Sequence, residues 1–451
     1  MSDSENDNES EFLAPNRSEL FRMAWPIVVA NSSVPLLGLA DTAIIGHTGT
    51  VTDLGAIALG ALIFTFVYWG FGFLRMGTTG FVAQASGAAD EAEVRATVAR
   101  ALVLAIVLGV SLVMLQRPIV WASLWLLGAS EAVEHTAEAY FLIRIWGAPA
   151  SLCMFALMGC FVGLGQSRTL LLVQLFLNGV NIVLDLLLAG ALGWGAEGIA
   201  LGTAIAEWTS LILALFLARQ LLRRRHSDSE SFWPWPRIKN AAKLAKTLTA
   251  NFNILLRTLI LVSSFALFTN QAAKFGDTVL AANHILLQMI GFSAYFLDGF
   301  AFVAEAVIGQ AIGARRRMMF DAAVSRSSQL AAITALGLAL ATYFLGDEIV
   351  AGLTTHASVR NLATQHVPYA AIYILFSFGA FQLDGIFIGA TRTRDMRNAA
   401  ALSMLVFLIV LWSSSAQGYR GLWIAFIAYV IARALSLMLF YPSLRRSIED
   451  R

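Results

Sequence analysis

The chain is short of charge. Asp, Glu, Lys and Arg together make up 13% of its 451 residues, against about 25% in soluble domains. That shortage excludes an ordinary water-soluble protein. Cysteine is scarce too: Cys153 and Cys160 stand alone, seven residues apart in one apolar stretch. On a helix their Cα atoms lie roughly 10 Å apart, beyond the reach of a disulfide, so both read as small core residues. Walker A, His-x-x-x-His and Cys-x-x-Cys patterns are all missing, which leaves no evident ATP site, metal spacing or cofactor. The histidines at 47, 135, 226, 284, 356 and 366 are scattered, and none looks catalytic. The opening "MSDSENDNESEFLAPN" has neither a basic stretch nor an apolar core; it is expected to be a disordered cytoplasmic tail rather than a cleavable signal. The net charge of only +2 gives no reason to expect a nucleic-acid partner.

What the chain has in quantity is apolar sequence. Hydrophobic residues make up 58% of it and the mean hydropathy is +0.70. A spanning helix needs about 20 mostly apolar residues, and the sequence holds twelve such windows. They run over 18–46, 53–86, 94–116, 136–164, 168–191, 196–222, 247–274, 277–312, 320–345, 362–390, 396–415 and 420–442. The fold class expected is an all-α integral membrane protein, with membrane lipids among its partners. Basic residues decide its orientation. Arg223, Arg224, Arg225, Arg315, Arg316, Arg317, Arg392, Arg394 and Arg397 fall in one set of loops, and only Arg117, Lys274, Arg360 and Arg420 in the other. Both termini are therefore expected on the cytoplasmic side.

The longest polar connection, 223–246, divides the spans six and six. It suggests a tail over 1–17, an amino-terminal lobe over 18–222, a linker over 223–246, a carboxy-terminal lobe over 247–442 and a tail over 443–451. "GFVAQASG" from Gly80 resembles "AFVAEAVIG" from Ala301, and "FVGLGQSRT" from Phe161 resembles "FIGATRTRD" from Phe387. Phe81 and Phe302 are 221 residues apart, and Phe161 and Phe387 are 226 apart. This supports a duplication into two six-helix bundles related by a pseudo-twofold axis along the membrane normal.

Acids inside such helices cost about 2.5–3.5 kcal/mol on the insertion scale, so each needs a partner, water or a function. Span 5 carries Asn178, Asn181 and Asp185, spaced so that one face of the helix is polar. Asp41 lies late in span 1, and Thr203 and Glu207 lie in span 6. Two carboxyls sharing a cavity with an amide and a hydroxyl repel one another, which favours taking up a proton; the same oxygens suit Na⁺. Glu207 snorkels or pairs with an interior cation. Asp298 and Glu305 share a face of span 8 and either line a central path or neutralise Arg257. Asp384 in span 10 has no partner in its own stretch, which points to a water-filled cavity. Pro26 and Pro35 allow a bend in span 1 near Asp41.

Taken together, Asp41, "NIVLD" in span 5, "GAEGIALGTAIAEW" opening span 6, "YFLDGFAFVAEAVIGQAIGAR" and "LDGIFIGATRTRDMRNA" resemble the multidrug and toxic-compound extrusion (MATE) family, and within it the DinF-like branch. The resemblance covers about 18–442. It implies an inner-membrane antiporter, not an enzyme, exporting amphipathic and often cationic small organic compounds in exchange for H⁺ or Na⁺, with a monomer as the expected state. It further implies that Asp41, Asn181, Asp185 and Thr203 match the ion-coupling positions. Asn178, Asp298, Glu305 and Asp384 become candidates for the substrate cavity, and Asp384 matches an acidic position of the NorM-like branch. Relatives can place a tyrosine one turn before Asp41, where this chain has Leu37, and that difference favours H⁺. The rival reading is a lipid or lipid-linked-sugar flippase, which calls for a cationic cavity; Arg75, Arg257 and Arg433 are its evident candidates. A membrane-embedded lipid-modifying enzyme is the more distant rival.

Overall fold

The structure is a computed structural model and describes residues 15–226 and 231–448. The expected amino-terminal tail lies outside these residues up to position 14, as do 227–230 of the expected linker and 449–451 of the closing tail. The described chain is helical, and twelve helices in it are long and apolar enough to cross a membrane. They are α1 (Arg17–Thr48), α2 (Val51–Gly87), α3 (Glu91–Met114), α4 (Glu131–Gly163), α5 (Ser167–Ala191) and α6 (Gly195–Arg224). The second six are α7 (Ala241–Ala273), α8 (Asp277–Gly313), α9 (Arg317–Leu353), α10 (Ala357–Gly389), α11 (Thr393–Ser413) and α12 (Ser415–Arg446). All twelve expected spans are present.

The chain forms two compact units. One comprises 29–82 and 90–248, the other 15–28, 83–89 and 249–448. α1 runs as a single helix through both prolines.

The same turn ends four of the helices. α2, α4, α8 and α10 each end on glycine (Gly87, Gly163, Gly313 and Gly389), and in each case the next helix begins four residues on. In every case the second residue of the turn is left-handed: Ala89, Gly165, Arg315 and Thr391 have φ of 55°, 69°, 55° and 53°. Such a residue closes a helix by turning the chain back on its last carbonyls. Gly87 to Gly313 is 226 residues, and so is Gly163 to Gly389. The turns therefore recur at 226 residues, the spacing of Phe161 and Phe387, while the 221-residue spacing of Phe81 and Phe302 differs because the two FVA strings stand 6 and 11 residues before their turns.

The connection after α6 is docked rather than slack. Acids gather at the start of α3, where the helix dipole favours them, and basic residues of the connection come to meet them. Arg237 pairs with Asp90 at 2.6 Å, Arg225 with Glu91 at 2.6 Å, and Lys243 with Glu93. Two buried arginines of α3 reach carbonyls of the same segment, Arg95 to Phe232 at 2.8 Å and Arg100 to Arg237 at 2.9 Å. Burial works to raise the Asp90 carboxyl, but hydrogen bonds from Arg237 and from the Glu93 backbone outweigh it and hold the group below its ordinary value.

Candidate functional site

The polar face of α5 is built as its spacing requires. Gln174, Asn178, Asn181 and Asp185 are all buried, Asp185 completely. Gln174 donates to Asn178 Oδ1 at 3.1 Å, and Asn178 Nδ2 donates to Ser33 Oγ of α1 at 2.8 Å. One turn further on, Asn181 Nδ2 donates to Thr203 Oγ1 of α6 at 3.3 Å, and Thr203 donates to its own Ile199 carbonyl at 2.9 Å. Asn178 is therefore engaged in joining α5 to α1. Asn181, Asp185 and Thr203 form a group with Asp41, whose carboxyl faces that of Asp185 within hydrogen-bonding reach.

This group is left with unanswered acceptors. Asp41 Oδ1, Asn181 Oδ1 and both carboxyl oxygens of Asp185 are buried with no donor among the described residues. Ionised carboxylates can only accept, so two that face each other pair only when a proton lies between them. Four convergent oxygens also suit a hard monovalent cation. Gly202 of α6 makes room for the arrangement: a Cβ there would stand 2.5 Å from Asp185 Oδ1.

A cation and a third acid missing from the sequence-based site belong to the same neighbourhood. Arg144 of α4 donates to Tyr140 Oη at 2.8 Å and lies 4.4 Å over the Phe64 ring. Asp41, Asp185 and Glu207 are all within its electrostatic reach, yet no carboxylate among the described residues approaches within the 4.0 Å of an ion pair. Glu207 presses against Gly147, where any Cβ would collide with its carboxyl, and its Oε2 is buried with no donor among the described residues. An arginine eight residues inside the mostly apolar span 136–164 was the signal that could have found this cluster.

Two helices leave α geometry beside these groups. α4 passes through a 3-10 turn at Ile145–Gly147, directly after Arg144. Pro149 follows and has no N–H to offer the Ile145 carbonyl. Across the break, Trp208 Nε1 of α6 donates to the Trp146 carbonyl at 2.9 Å. α5 becomes a π-helix over Leu186–Ala191, directly after Asp185. A mid-helix 3-10 stretch often marks a hinge or local strain, and π-turns occur frequently at functional sites.

The acids of the second half are placed differently. Asp384, without a partner in its own sequence, has two in the fold: Arg257 of α7 pairs with it, and Arg433 of α12 does so at 2.8 Å. The three line a cavity of ≈ 10 Å³ with Ser403 and Tyr429, room for about one water. Arg257 thus answers α10, not the α8 acids that the sequence offered it. Glu305 is buried on α8, and Asp298 is half-buried one face-repeat before it.

Comparison with known proteins agrees with this architecture. The MatE family model matches residues 26–187 and 254–412. DNA damage-inducible protein F of Escherichia coli K12 is 35% identical over 94% of this chain and 92% of its own length. A probable multidrug resistance protein NorM of Acinetobacter baylyi is 26% identical over 94% of this chain and 95% of its own. Among solved structures, a Vibrio cholerae MATE transporter in its bent form superposes with a TM-score of 0.85 at 21% identity, covering 96% of this chain and 97% of that one. Twelve apolar helices make the chain a multi-pass membrane protein, and the family it matches is one of transporters rather than enzymes. The chain belongs to the MatE family.

Proposed function

We propose that the protein is a secondary active antiporter of the bacterial inner membrane, with both termini cytoplasmic, that exports amphipathic and often cationic organic compounds in exchange for H⁺. The observation that carries this reading is the set of buried acceptors without donors on Asp41, Asn181 and Asp185. A proton entering the Asp41–Asp185 pair converts two opposed acceptors into a donor and an acceptor, and so changes which packing of α1 against α5 and α6 is preferred. Its release restores the other packing, and alternating access follows from the exchange. Asn181 and Thr203 position the pair, while Asp298, Glu305 and Asn178 serve the substrate path. The names of the similar proteins support multidrug export, since relatives in Acinetobacter and Bacillus are described as probable multidrug resistance proteins.

Na⁺ is the second candidate ion, supported by the same oxygens. Purified protein in liposomes distinguishes the two: ethidium transport is driven by an imposed pH gradient in Na⁺-free buffer if H⁺ is the coupling ion, and needs an imposed Na⁺ gradient if it is not. Ethidium movement under neither gradient would remove the antiporter reading. The flippase reading draws on the excess positive charge around Asp384, but a space of ≈ 10 Å³ holds no phosphate headgroup.

A further inference from the structure

The amino-terminal unit buries more acid than the Asp41–Asp185 pair accounts for. Glu207 lies on α6, one helical turn beyond Thr203, with Arg144 and Ser151 of α4 and Tyr68 of α2 around it. Ser151 is within hydrogen-bonding reach of the Glu207 carboxyl, while Glu207 Oε2 itself meets no donor among the described residues. The titratable groups facing this region from the surrounding helices are Asp41, Tyr68, Tyr140, Arg144 and Asp185. Three of the groups in the cluster are carboxyls and one is a guanidinium, so full ionisation leaves an excess of two negative charges within the membrane. Uncompensated charge at that depth costs several kcal/mol per group. Two protons remove the excess, and the facing Asp41–Asp185 pair has a place for one.

We propose that Glu207, held between Arg144, Ser151 and the Gly147 turn, is a second exchangeable proton site, separate from the Asp41–Asp185 pair and linked to it through Arg144. The guanidinium stands within reach of both sites and is ion-paired to neither, so it compensates whichever carboxyl has lost its proton. A proton on Glu207 Oε2 turns an acceptor with no donor into a donor facing α4 at its 3-10 turn. Loss of that proton leaves a carboxylate drawn toward Arg144, one residue before the same turn. The site therefore couples proton occupancy to the hinge of α4, as the Asp41–Asp185 pair does to the π-turn of α5.

This inference rests on the proton-coupled reading above, and its test separates the two. Infrared difference spectra of the reconstituted protein, recorded between low and high pH without any drug, report protonated carboxyl groups by their acid C=O band. Glu207→Gln is expected to lose one acid band that the wild type shows. The Asp41→Asn, Asp185→Asn double variant, which retains Glu207 but leaves Arg144 no other acid to compensate, is expected to keep that band and to show it only at lower pH than the wild type. A Glu207→Gln spectrum identical to the wild type, or a double variant without the band, would overturn the proposal, and the second variant decides the matter if the first fails to fold. In the same liposomes, the ethidium gradient balanced by a given pH gradient is expected to correspond to two protons per ethidium in the wild type and one in Glu207→Gln. An unchanged ratio would show that the proton is not exchanged and would also overturn the proposal. If ethidium does not move, the antiporter reading fails while the spectra still decide the site.

Discussion

The two units bury acids in opposite ways. In the amino-terminal unit Asp41, Asp185 and Glu207 surround one arginine that pairs with none of them, and four of their six carboxyl oxygens are buried without donors among the described residues. In the carboxy-terminal unit Asp384 is held by two arginines and offers nothing further. The first arrangement is short of positive charge and of hydrogen-bond donors, so taking up a proton or cation completes it. The second has its carboxylate fully answered and positive charge to spare, so it has no use for a proton or cation. An acid within a membrane helix is thus not a coupling site by virtue of its depth; the balance of donors and charge around it decides.

Several changes break or sharpen this contrast. The largest effect is expected from Asp41→Asn and Asp185→Asn: each abolishes ethidium-driven proton movement in liposomes while leaving thermal stability in detergent at or above that of the wild type, since each removes an unpaired buried acid. Asp384→Ala should do the reverse. Removing one partner of a buried charge cluster costs about 3–5 kcal/mol, so its unfolding temperature falls sharply. Replacing Arg257, Asp384 and Arg433 together by Met recovers most of that loss, because no charge is left unpaired.

A smaller effect is expected from Gly202→Ala, whose new Cβ lies 2.5 Å from Asp185 Oδ1 and pushes the carboxyl away from Asp41. Misplacement by about 1 Å lowers rates up to roughly a hundredfold, which an initial-rate ethidium assay resolves. The smallest concerns Asp90, at a partly exposed ion pair worth about 0–1 kcal/mol. Its folded carboxyl is held below the ordinary value, so its contribution is present above the unfolded pKa of about 3.9 and is lost as the pH falls through the lower, folded value. Asp90→Asn should therefore lower stability slightly at neutral pH and not at all in strong acid.

Much of this was legible in the chain. Length and apolarity marked all twelve spans, and the spacing of Asn178, Asn181 and Asp185 put them on one face because a helix brings i and i+4 together. Local spacing says nothing about which helices meet, so the Asp384 partners, 127 and 49 residues away, were hidden. Arg144 and Glu207 went unpaired in the sequence for the same reason, although each was visible as a charge within a span. The π-turn of α5 had no residue pattern to announce it, and the 3-10 turn of α4 had only Pro149, whose missing N–H denies the Ile145 carbonyl its helical donor. The linker read as a polar spacer because its partners, Asp90, Glu91 and Glu93, stand more than 130 residues upstream.

Proton movement driven by ethidium, measured side by side in Asp185→Asn and Asp384→Glu liposomes, tests the central claim most directly. The account predicts no proton movement in Asp185→Asn and wild-type movement in Asp384→Glu, which keeps a carboxylate between its two arginines. Proton movement that persists in Asp185→Asn and disappears in Asp384→Glu would contradict it and move the coupling site to the carboxy-terminal unit.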